Sequence, residues 1–100
     1  MTMYELRHDF DVLISTINTE NYQEKFSEGL KLLIHYKNLG GYQQDAYDYL
    51  SPLFIKYRDT DEIKSDLIAD WLDYVIGWVA KGKEIWDSHD VRKVEDQYEL

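Results

Sequence analysis

A chain of 100 residues supports one domain with a core of its own, and the absence of cysteine excludes disulfides and thiolate metal sites. Twenty acidic residues against eleven basic ones give a net charge of −9, which disfavours DNA, RNA and anionic membranes as direct partners and favours a basic protein. Nine tyrosines and three tryptophans share this small acidic chain, so aromatic contact area and negative charge come together.

The apolar spacing is helical throughout. Met3, Leu6, Phe10, Leu13, Ile14 and Ile17 form one face of a first helix, which Thr2 and Glu5 are spaced to open as a capping box. No basic stretch precedes an apolar run at the N-terminus, so no signal peptide is expected, and a cytoplasmic setting fits the lack of cysteine. Asn18 to Asn21 reads as a turn. A second helix is predicted from about Glu20 to Asn38, with Tyr22, Phe26, Leu30, Leu33 and Ile34 inward and Gly40-Gly41 as its stop. A third begins near Tyr42 and presents Ala46, Tyr49, Leu50, Leu53 and Tyr57. Pro52 lies within it and is expected to kink or divide it. Asp59 with Glu62 has the spacing of a second capping box, ahead of a fourth helix over roughly residues 60–80. Lys81 and Lys83 close that helix, and Gly82 stops it. Ile85 and Trp86 are expected to fold back over the core. The domain is therefore read as residues 1–87, followed by a polar tail over 88–100. The fold class is all-α: a four-helix, antiparallel, bundle-like domain.

The fourth helix carries the candidate site. Ile63, Leu67, Ile68, Trp71, Leu72, Val75, Ile76 and Val79 make a wide apolar stripe. Glu62, Asp66, Asp70 and Asp73 recur at helical spacing on the opposite face. Like charges so placed repel by roughly 0.2–0.5 kcal/mol per pair. A helix that tolerates this, with aspartates in its interior, bends local rules in a way common at functional sites. Tyr74 and Trp78 continue the line from Asp70 and would border the strip with aromatic surface suited to a binding hot spot. The competing reading makes Trp78 a core residue and the aspartates an ordinary solvated face. Asp45, Tyr47 and Asp48 form a second candidate patch, with both acids outward and Tyr47 at least partly exposed. It would extend the strip if the third and fourth helices are antiparallel neighbours.

The sequence holds no nucleophile–base triad, phosphate loop, helical metal-binding spacing or calcium loop. No enzyme activity, metal or cofactor is expected. Aromatics interleaved with acids invert the pattern of a nucleic-acid binder.

In length, charge, lack of cysteine and helical pattern the chain resembles the small acidic immunity proteins that neutralise bacterial toxins, especially nucleases. The segment Asp45-Ala46-Tyr47-Asp48-Tyr49-Leu50-Ser51-Pro52 is similar to the acidic, double-tyrosine segment ending in proline found in immunity proteins against DNase colicins, except that here Asp48 separates the tyrosines. The resemblance implies an inhibitor that binds a basic toxin domain and blocks its substrate surface. The alternatives are a DNA mimic that inhibits a DNA-binding protein, and an adaptor domain that self-associates.

Overall fold

In the computed structural model, which describes residues 2–86, the Thr2 hydroxyl accepts from the Glu5 amide (3.1 Å) and the Glu5 carboxylate accepts from the Thr2 amide (3.0 Å). This is the reciprocal box expected from the spacing, and it opens α1, Met3–Ser15. The Thr2 amide first, and the Thr2 hydroxyl second, hold the Glu5 carboxyl below the usual carboxylate range. Asn18 and Asn21 then build the turn with their own side chains. The Asn18 Oδ1 accepts from the amides of Glu20 and Asn21, and the Asn21 Nδ2 donates to the Thr16 carbonyl. Short amide side chains replace backbone partners in this way wherever a chain must reverse.

α2 spans Tyr22–Asn38 and buries Gly29, Leu33 and Tyr36, with Tyr22, Phe26 and Leu30 half-buried beside them. Ile34, expected inward, is exposed. The seam runs through positions 29, 33 and 36, and Ile34 lies one residue, about 100° of helix, away from it. α3 spans Gln43–Arg58 and runs on through Pro52 as one continuous element, so the expected division does not occur. Pro52 itself is exposed. The carbonyl of Asp48 that it leaves without a helical donor therefore sits on the wet side, where the loss costs least. The buried stripe of α3 is Ala46, Tyr47, Leu50, Ser51 and Phe54, wider than the spacing suggested.

α4 is Glu62–Ile76, shorter at both ends than expected. Its N-cap is Asp61, whose carboxylate accepts from the Lys64 amide (3.2 Å), not Asp59. Its stop is Gly77, not Gly82. At φ 88° Gly77 occupies the left-handed region, and its amide and that of Trp78 both turn back to the Asp73 carbonyl. Trp78, Val79, Lys81 and Lys83 therefore lie beyond the helix.

Together the four helices form the all-α, bundle-like domain expected, with no strand among the described residues. α3 and α4 are antiparallel neighbours: the Gln43 side chain at the start of α3 donates to the Val75 carbonyl at the end of α4 (2.7 Å). Trp71 is the hub of the core. It is fully buried, with the Phe10 ring of α1 edge-on at 4.8 Å, and its Nε1 donates to the Phe26 carbonyl of α2 (3.1 Å). α2 approaches so closely because residue 29 is glycine; a Cβ there would overlap the Trp71 indole. Phe10, Leu33, Trp71, Leu72 and Val75 share one core, as expected. The segment after α4 folds back. Trp86 donates to the Gly41 carbonyl (3.3 Å) and packs edge-on to Tyr36, and Ile85 lies against the core. The expected polar tail over 88–100 lies outside the described residues.

Candidate functional site

The acidic line read from α4 does not form one continuous face. Glu62 and Asp66, in its first half, are exposed. In the second half α2 lies alongside. The Tyr22 hydroxyl donates to the Asp70 carboxylate at 2.6 Å, and the Tyr74 ring packs at 5.7 Å against Phe26. Burial, then the hydrogen bond to Asp70, raises the Tyr22 phenol well above its usual value. Asp70 is thus a structural acceptor between helices, and Asp73 is half-buried. Trp78 is 60% exposed but stands past the Gly77 cap, so it does not continue the line from Asp70 as a helical residue would.

The second patch divides in the same way. Asp45 and Asp48 are exposed, and Asp48 accepts from the Gln44 side chain. Tyr47, expected at least partly at the surface, is 0% exposed, and its hydroxyl has no hydrogen-bond partner among the described residues. The reason is the width of the α3 stripe: position 47 joins 46, 50, 51 and 54 on the buried face. Tyr49 fits the expectation of a core ring with its hydroxyl at the rim. The hydroxyl lies 2.6 Å from an Asp11 carboxylate oxygen and 3.2 Å from the Arg7 carbonyl. Because α3 and α4 run antiparallel, Asp45 and Asp48 lie toward the C-terminal end of α4, away from Glu62 and Asp66.

The structure instead gathers acids at the turn between α3 and α4. A groove of 590 Å³ is lined by Asp59, Asp61, Glu62 and Asp66, with Arg58 as its cation and Phe54 and Ala69 as its apolar wall. Local chemistry positions each group. The Thr60 and Asp61 amides turn back to the Tyr57 carbonyl and end α3. Asp61 is held as the α4 cap and pairs with Lys64 at 3.8 Å. Glu62 and Asp66 then follow one helical turn apart on α4. Lys56 and Lys64 each sit 5.1 Å from the Tyr57 ring, and Lys64 is the one lysine of the two that also meets a groove carboxylate, that of Asp61. Asp59 is read from the sequence for capping only, and Asp61 is not singled out there. The signal for the groove was the density of acids, three in the four residues from Asp59 to Glu62.

A concave surface with four carboxylates and one guanidinium is suited to receive lysine or arginine side chains. Among the described residues no group of three or more His, Cys, Asp or Glu is placed to hold a metal ion. Nor is any helix among them long and apolar enough to cross a membrane. Compared with protein-family models, curated proteins and solved structures, the chain matches none.

Proposed function

We propose that this chain is a non-catalytic inhibitor of the immunity-protein kind. It acts in the cytoplasm by binding and neutralising a basic bacterial toxin domain, of the nuclease type. The observation that carries this reading is the groove at the α3–α4 turn, where Asp59, Asp61, Glu62 and Asp66 converge on a chain of net charge −9. A nuclease places lysines and arginines to receive phosphates, and carboxylates set in a concave surface can occupy the same groups. Long-range attraction would speed the encounter, to about 10⁸–10⁹ M⁻¹s⁻¹ at low salt for well-steered pairs. Asp45, Asp48 and exposed Trp78 belong to a separate part of the surface, and the reading assigns them no more than peripheral contact.

The test is the double reversal Glu62→Lys/Asp66→Lys. Both side chains are exposed and neither is a cap or an interhelical acceptor, so the helical fold should persist by circular dichroism. Asp70, which holds Tyr22, is left alone. Binding to the cognate basic toxin domain should weaken about a hundredfold or more, mostly through slower association, and protection of cells should be lost. A folded double variant that binds and protects like the wild type would remove the acidic groove from the function.

A further inference from the structure

We propose that the groove between α1 and α2 is the contact face of a symmetric pair formed by two copies of this chain. The groove measures 490 Å³ and has an apolar floor of Val12, Leu13 and Leu32. Val12 is 51% exposed although it sits mid-helix beside two core residues. Apolar side chains arranged around an open groove form a surface that gains by being covered.

The choice of occupant follows from charge. The rim carries Asp9 and Lys31, together with Lys25 and Glu28, which pair with each other at 3.4 Å. Two anions and two cations make this stretch neutral on a chain of net charge −9, so the excess lies elsewhere. A basic partner is drawn to the acidic turn, not to a rim with two lysines. An acidic partner is repelled by the rest of the molecule. A second copy is just as acidic, and two copies can approach closely only through a face that is locally neutral. Lys31 and Asp9 make no ion pair among the described residues, and they stand on different helices across the groove. A two-fold axis along the groove brings Lys31 of each copy toward Asp9 of the other, as a self-complementary contact requires. Val12 then enters its counterpart's floor.

Size sets the expected affinity. α1 is 13 residues long, about 20 Å, and two helices side by side are about 20 Å wide. A contact confined to that face covers about 400 Å² per copy, about 800 Å² in total, below the standard size of specific interfaces and in the range of weak and transient complexes. None of the residues around this groove lines the acidic one, and the pair needs no toxin, so this inference and the proposed function stand or fall separately.

The experiment is sedimentation equilibrium on the full chain, at concentrations from about 10 to 500 μM, the range that fits a contact of this size. The wild type should approach twice the mass of one chain. Val12→Glu and Lys31→Glu should each weaken pairing about tenfold or more, with helical content unchanged. The exchange Asp9→Lys/Lys31→Glu should restore most of what Lys31→Glu loses, because it re-forms the pair with its signs reversed. A wild type that remains a single chain at the highest concentration would overturn the proposal. So would a dimer indifferent to Val12→Glu, or a charge exchange that restores nothing.

Discussion

Replacing Gly29 with alanine tests the core as described, because two physical effects of opposite sign meet at that position. At an open site in a helix the change stabilises by about 1 kcal/mol, through reduced backbone freedom in the unfolded chain. Here the added Cβ overlaps Cε2, Nε1 and Cζ2 of Trp71, which is itself fully buried. Overpacking of a dense core costs about 1–3 kcal/mol. If the indole pivots instead, it gives up its bond to the Phe26 carbonyl, worth about 0.5–1.5 kcal/mol, and the edge contact with Phe10, worth a similar amount. Overlap with three indole atoms puts the cost at the upper end, so against the propensity gain the net loss should be about 2 kcal/mol. For a domain of this length that lowers the melting temperature by roughly 8–16 °C. Urea and thermal unfolding followed by circular dichroism measure it directly. Trp71→Leu in the same background should recover part of the loss, since the smaller side chain admits the methyl group, and the two substitutions should be strongly non-additive. A Gly29→Ala protein as stable as the wild type, or more so, would mean that α2 does not lie against Trp71 in this way.

Other expected outcomes concern the tyrosines. Tyr47→Phe removes a buried hydroxyl that has no partner among the described residues, so stability should be unchanged or rise by up to about 1 kcal/mol, and toxin binding should not change; a clear loss of stability would show that the hydroxyl is bonded. Tyr22 and Tyr49 both have phenols raised above the usual value of 10.0, by burial first and by hydrogen bonds to Asp70 and Asp11 second. A raised acid binds its proton more tightly when folded, so this contribution is complete below pH 10 and is lost as the pH climbs above it. Wild-type stability should therefore fall above pH 10, and the Tyr22→Phe/Tyr49→Phe protein, less stable at neutral pH, should show a flatter alkaline limb in urea titrations.

The sequence is most readable where one local rule acts alone. Thr2 and Glu5 have no competitors, and the capping box forms as spaced. The inward positions Leu6, Phe10, Leu13 and Ile14 follow from periodicity because α1 has one buried face. The reading fails where two local solutions compete. Asp59 and Asp61 both precede an apolar run, and the cap goes to Asp61, whose carboxylate can reach the Lys64 amide once the chain has turned at Tyr57. Gly77 is followed by Trp78 and Val79, so the apolar pattern runs on through the true stop; a left-handed glycine leaves no trace in hydrophobicity. Tyr47 and the divided acidic strip fail for another reason. Which flank of α3 is covered, and where α2 crosses α4, depend on contacts such as Gly29 with Trp71 that link distant parts of the chain. Periodicity within one helix carries no information about them.

The three tryptophans occupy three different environments, and this gives the protein a built-in optical record of its state. Trp71 is sealed in the interior with its N–H bonded to a carbonyl, Trp86 is nearly covered at the α2–α3 turn, and Trp78 is largely open to solvent. Their emission should spread from blue to red in that order, and a neutral quencher should reach Trp78 first. With each retained singly, one spectrum would follow the interior, another the return of the chain after α4, and the third the surface near Gly77. Release of the closing segment, occlusion of the outer surface and loss of the core could then be told apart without attaching any label.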